Sequence, residues 1–135
     1  MIVKLVVSTA LGGIIGIERE AHERPAGLRT HILVCLGSTL FTLASFEIAG
    51  AVYDPGRVAA QIVTGIGFLG AGTILRRGSV VRGLTTAASI WTVAAIGISV
   101  AIGGNMMYIA VAASALVVGT LTLVRRFEGR YLMRP

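Results

Sequence analysis

Apolar residues along this chain come in long blocks rather than at the intervals of a one-sided helix or a half-buried strand. Five blocks stand out, at residues 1–17, 31–53, 58–75, 85–103 and 106–124. Each approaches the roughly 17–25 residues an α-helix needs to cross a hydrocarbon core. The pattern predicts an all-α fold: a polytopic membrane helical bundle of five transmembrane helices, forming a single transmembrane domain over residues 1–135. No C-terminal soluble domain is expected after the last block. The first block is the shortest and carries Lys4, near enough to its end to snorkel to the headgroups. A cleaved signal peptide is the rival for this block, but no small-x-small cleavage site precedes the charged run that starts at Glu18.

Charge sets the expected orientation. With the N-terminus out, the inner side collects Arg19, Arg24, Arg29, Arg76, Arg77, Arg82, Arg125, Arg126, Arg130 and Arg134, against Lys4 and Arg57 outside. That bias follows the positive-inside rule and predicts the C-terminus in. Tyr53 and Tyr108 then fall at the outer interface, and Phe127 and Tyr131 follow the last block on the inner side. Trp91 falls nearer the inner end of the fourth block and reads as core rather than belt.

Composition narrows the class. With 55% hydrophobic and 13% charged residues, a disordered chain, a disulfide-stapled secreted domain and a solvated nucleic-acid-binding domain are excluded. The net charge of +6 would suggest nucleic acid in a soluble protein. Here the arginines flank apolar blocks and read as anchors on anionic lipid, so membrane lipids and no nucleic acid are the expected partners. The single cysteine, Cys35, excludes an intrachain disulfide and reads as a small buried hydrophobe.

Helices in lipid meet through small residues. Ser8, Gly12 and Gly16 recur at intervals of four in the first block, as do Ala95, Ser99 and Gly103 in the fourth. The fifth offers Ala110 with Ser114 and Ala115 with Gly119. Gly65, Gly67, Gly70 and Gly72 crowd the third, which is expected near the centre of a tight bundle. Those glycines serve backbone contact or a locally unwound segment lining a cavity. A homo-oligomer, a dimer in the simplest case, is the reading of these faces. Threonines (Thr30 just before the second block, Thr85 or Thr86 at the start of the fourth) are placed to cap helix N-termini.

Polar groups in this setting are candidate functional residues. Glu47 is the carboxylate that falls within a block, and either pairs with Lys4 or Arg57 or marks an outer ion or proton site. Asp54 opens a tight turn and can cap the third helix. Arg57 and Gln61 are one helical turn apart, on a face that is packing or part of a polar path. Between Glu18 and Pro25 the charges alternate, so Glu20 with Arg24 and Arg19 with Glu23 are i,i+4 pairs on a solvated helix. A metal site from Glu18 and His22 is opposed by the neighbouring arginines, and neither a metal nor a cofactor is expected. Arg29, Arg76, Arg77 and Arg82 form an inner basic ring for an anionic lipid or an acidic partner. Nucleophile-elbow, zinc and nucleotide-loop motifs are absent, and no enzyme activity is expected.

The runs LGGIIGIERE (residues 11–20), AGLRTH (26–31), RVAAQIVTGIGFLGAGTI (57–74) and VRGLTTAASIW (81–91) resemble the MgtC/SapB family of bacterial inner-membrane proteins. The resemblance implies a five-span membrane domain and a link to growth in low magnesium and, in pathogens, to survival inside host cells. It implies a modulator that contacts other membrane proteins, the F-type ATP synthase among them, rather than an established carrier. The alternative is a transporter or channel for an ion or small solute. By resemblance, functional weight falls on Glu18, Arg29, Arg57, Gln61, Arg82 and Thr85. Magnesium itself is a poor cargo on physical grounds. It needs six oxygens and dehydrates reluctantly, whereas one carboxylate lies within a block, beside basic residues.

Overall fold

A computed structural model describes residues 1–48, 54 and 56–124. Tyr53, Pro55 and the arginines and aromatic residues from Arg125 onward lie outside the described residues. The described residues form five α-helices: α1 (Ile2–Ala21), α2 (Leu28–Ile48), α3 (Gly56–Gly72), α4 (Leu84–Ile102) and α5 (Asn105–Gly119). The last runs on into a π-helical turn, Thr120–Val124. Among the described residues, three helical segments are long and apolar enough to cross a membrane: Leu28–Ile48, Leu84–Ile102 and Asn105–Val124. Of the other two, α1 carries Lys4, Glu18, Arg19 and Glu20, and α3 has 17 residues.

The order of packing differs from expectation. The third block was expected near the centre, but α4 sits there, touching α1, α2, α3 and α5. Its buried residues, from Thr86 through Ile90, Val93, Ile96 and Gly97 to Ala101, fill two adjoining faces. In α3 only Gly70 is buried among the described residues. The reason lies in what the glycines meet. A Cβ added at Gly70 would touch Ala87 of α4 at 3.5 Å, whereas Gly65, Gly67 and Gly72 have nothing within 4 Å. Those three are therefore not contact points within this chain, and α3 stays helical across all four.

Close approach is concentrated elsewhere. An added Cβ at Gly12 would lie 2.7 Å from the His31 carbonyl oxygen, and one at Gly16 would lie 2.7 Å from Leu28 Cα. Both glycines thus let α1 lie almost backbone to backbone on α2. Gly97 does the same for α4, where a Cβ would run into the Cys35 carbonyl. Cys35 is buried and free in this seam. Of the predicted small-residue face in the fourth block, Ala95 is exposed, Ser99 half-buried and Gly103 buried, so only its far end is packed. Trp91, expected as core, is about half exposed.

The helix ends also differ from expectation. Thr30 and Thr85 lie inside α2 and α4 rather than at their caps. At α2, Glu20 Oε2 accepts the Leu28 N–H at 2.7 Å. At α4 the cap is Gly83, with φ of 92°, a left-handed conformation that glycine adopts without strain. The segment before it, between α3 and α4, is a hairpin: β1 (Leu75–Arg77) pairs antiparallel with β2 (Val80–Arg82). Its two-residue loop is Gly78-Ser79, a tight-turn pair for a hairpin.

Large apolar side chains, including Ile2, Val3, Leu33, Phe41, Phe68, Tyr108 and Leu116, face outward. Polar side chains, including Ser8, Thr39 and Ser89, are inside. This inversion suits a hydrocarbon surround, where outer apolar surface has no cost and small polar groups bond between helices. Thr39 is one such group, its hydroxyl lying 2.9 Å from the carbonyl oxygens of both Cys35 and Gly97.

Candidate functional site

Two polar regions are built on these helices. The first is a buried knot where the end of α1 meets the starts of α2 and α4. Glu18 and Arg19 are 8% and 4% exposed, and His31 is fully buried. Arg19 Nη1 lies 3.5 Å from Glu18 Oε2, and Arg19 Nη2 donates to Thr86 Oγ1 at 3.4 Å. The contacts that these side chains make include partners other than the expected Arg19–Glu23 and Glu20–Arg24 pairs. Because α1 ends at Ala21 and Glu23 adopts φ of 52°, the helical spacing those pairs need is lost. Arg19 turns inward, and Glu20 serves the start of α2.

His31 joins α2 to α4. Its Nδ1–H donates to the Gly27 carbonyl oxygen at 3.0 Å, which leaves Nε2 as an acceptor 3.0 Å from Ser89 Oγ. Ser89 Oγ is also 2.8 Å from the Thr86 carbonyl oxygen. A hydroxyl has one proton, so it serves one of these acceptors at a time. Glu18 Oε1 lies 3.0 Å from His22 Nδ1, whose N–H also faces the Glu18 carbonyl oxygen at 2.7 Å. This pair sits beside the Arg19 guanidinium, which repels a cation. The knot holds three helices in register.

The second region is a groove of about 840 Å³ between α2 and α3. Arg29 stands at one end of its α2 wall and Arg57 at the far end of its α3 wall, with Thr30, Ser38 and Gln61 between. Leu33, Val34, Phe41, Ile62, Ile66 and Leu69 make the rest mostly apolar. The groove is wide because Gly37 and Gly65, one on each wall, have open space where a side chain would stand.

The structure thus divides the residues singled out in the sequence. Arg29, Arg57 and Gln61 share the groove. Glu18 belongs to the knot. Glu47 is exposed near the end of α2, and among the described residues it forms no ion pair with Lys4 or Arg57. Lys4 instead donates to the carbonyl oxygens of Ala101 at 2.6 Å and Ile102 at 3.4 Å, at the negative end of α4. Asp54 Oδ1 accepts the Gly56 N–H at 2.9 Å and so opens α3. Arg82 is exposed on the hairpin and Thr85 on the first turn of α4. Among the described residues, no three His, Cys, Asp or Glu side chains are placed to hold a metal ion together.

Sequence reasoning missed His31, Thr86 and Ser89 as a unit. A signal existed. Thr86, Ser89, Val93, Ile96 and Val100 follow helical spacing, so the polar pair continues an apolar stripe into the bundle. Nothing local in the sequence, however, says that His31 faces it.

Comparison with known proteins adds the family. Residues 5–130 match the model of the MgtC family. The chain is 50% identical to Protein MgtC of Salmonella typhimurium (strain LT2) over 102 residues, covering 76% of this chain and 43% of that protein. It is 47% identical to Protein MgtC of Brucella abortus over 115 residues, 85% of this chain and 47% of the relative. YhiD of Escherichia coli (strain K12), named as a candidate magnesium transporter, is 39% identical over 138 residues, 97% of this chain and 63% of YhiD. The chain therefore spans about half the length of the MgtC proteins it matches. No solved structure matches it. On the family match and these identities, the chain belongs to the MgtC family.

Proposed function

We propose that this chain is a multi-pass protein of the bacterial inner membrane, crossing it five times with the N-terminus out, that acts in adaptation to low magnesium. It works as a modulator by helix contact with other membrane proteins, the F-type ATP synthase among them, and catalyses no reaction. The observation that carries the reading is the outward face of α3. Ala60, Thr64, Gly67 and Ala71 are exposed there at helical spacing. Thr64 Oγ1 donates back to the Ala60 carbonyl oxygen at 3.0 Å, which keeps the face smooth. In lipid, such a face gains by meeting another helix closely, and a single large side chain prevents it.

Transport of an ion or small solute is the competing reading and would run through the α2–α3 groove. Guanidinium groups at both its ends disfavour a divalent cation. Magnesium, which needs near-octahedral oxygen ligation, would find Gln61, Ser38 and Thr30 there in place of carboxylates. The test is retention of F-type ATP synthase subunits when the full chain is purified from native membranes in mild detergent. The expected result is retention by the wild type and by Gly37→Ala, and loss on Gly67→Leu. Absence of those subunits, or equal retention by Gly67→Leu, overturns the contact reading.

A further inference from the structure

We propose that the groove between α2 and α3 is a binding site for one anionic phospholipid, with its phosphate on Arg29 and an acyl chain lying between Gly37 and Gly65. This goes beyond the proposed contact role, which uses the opposite face of α3, and stands or falls separately. Size is the first argument. Arg29 to Phe41 on one wall, and Arg57 to Leu69 on the other, each span about 18 Å at 1.5 Å per residue. That is close to the half-thickness of a hydrocarbon core of about 30 Å. The groove holds about 840 Å³, room enough along that length for an extended hydrocarbon chain.

The lining is the second argument. Leu33, Phe41, Ile66 and Leu69 offer a chain apolar contact, and Gly37 and Gly65, one on each wall, leave room within the groove without crowding any neighbour. Charge is the third argument, and it chooses the end. In the chain, the Arg57 end has two exposed carboxylates before it, Glu47 and Asp54, which lower the net positive charge of that stretch of sequence. At the Arg29 end, α3 continues past Leu69 into the hairpin that carries Arg76, Arg77 and Arg82. The nearby Glu20 carboxylate is engaged by the Leu28 N–H. Arg29 itself is exposed and forms no ion pair among the described residues. A guanidinium so placed matches a phosphate in both charge and donor geometry.

The full chain, purified in mild detergent and exchanged into nanodiscs of equal phosphatidylglycerol and phosphatidylethanolamine, tests this by native mass spectrometry of the lipid that stays bound on release. The wild type is expected to retain one lipid, enriched severalfold in phosphatidylglycerol. Gly65→Leu, whose side chain enters open space and leaves the fold intact by circular dichroism, is expected to lose the retained lipid. Arg29→Gln is expected to keep a lipid and lose the preference for phosphatidylglycerol. Four results overturn the proposal. They are no retained lipid in the wild type, equal retention by Gly65→Leu, loss of the preference on Arg57→Gln but not on Arg29→Gln, and disulfide-linked dimers formed by Gly65→Cys, which would place a second copy in the groove.

Discussion

Glycine-to-alanine substitutions should separate the tight seams of this bundle from its open faces, because the same added methyl group meets opposite surroundings. At Gly12 the new Cβ would lie 2.7 Å from the His31 carbonyl oxygen, 2.9 Å from Cys35 Cβ and 3.1 Å from Ile32 Cα. None of these is the end of a flexible side chain, so α1 must move off α2. Overpacking of this kind costs about 1–3 kcal/mol. The gain in helix propensity from glycine to alanine returns about 1 kcal/mol. The net expectation for Gly12→Ala is therefore a loss of up to about 2 kcal/mol. Gly65 and Gly67 have nothing within 4 Å, so alanine there should leave stability unchanged or raise it by up to about 1 kcal/mol. The assay is reversible unfolding in mixed micelles of rising sodium dodecyl sulfate fraction, followed by circular dichroism. Equal midpoints for Gly12→Ala and Gly65→Ala, or a larger loss at Gly65, would refute the packing order described above.

Three further outcomes follow from the helix ends and the knot. Arg19→Leu leaves the Glu18 carboxylate buried without its guanidinium and should cost about 3–5 kcal/mol, with much of the loss recovered in the double variant Glu18→Leu/Arg19→Leu when both are unfolded in parallel. Glu20→Ala removes the acceptor at the Leu28 N–H and should cost about 1 kcal/mol, read as a lower midpoint in the same titration. Single cysteines at positions 54 and 79, in a Cys35→Ser background, should label from opposite sides of sealed vesicles with an impermeant maleimide, and labelling from one side would contradict the proposed orientation.

The helices were legible because a block of apolar residues long enough to cross lipid has few other uses. Even so, the block boundaries missed the polar ends. Leu28 and Leu84 begin α2 and α4 earlier than the threonines predict, since Glu20, eight residues back, supplies one cap and Gly83 the other. Glycine density misled the placement of α3. A glycine marks close approach only if something approaches, and Gly12, Gly16 and Gly97 have backbone against them where Gly65, Gly67 and Gly72 have open space. That difference is a property of partners far away in the chain. The hairpin was within reach, since Gly78-Ser79 before Val80 and Val81 is a hairpin signature. For the site, Arg57 and Gln61 could be placed on one face from their spacing alone. Their meeting with Arg29 across a groove required the packing of α2 beside α3. Likewise the pairing of Lys4 with the end of α4 joins residues 97 positions apart.

The contact role is tested most directly by what the protein does when nothing else is present. Purified full chain reconstituted into liposomes loaded with a magnesium indicator should pass Mg²⁺ no faster than protein-free liposomes, at any external concentration. A saturable influx that disappears on Gln61→Ala would contradict the account and make the groove a pathway.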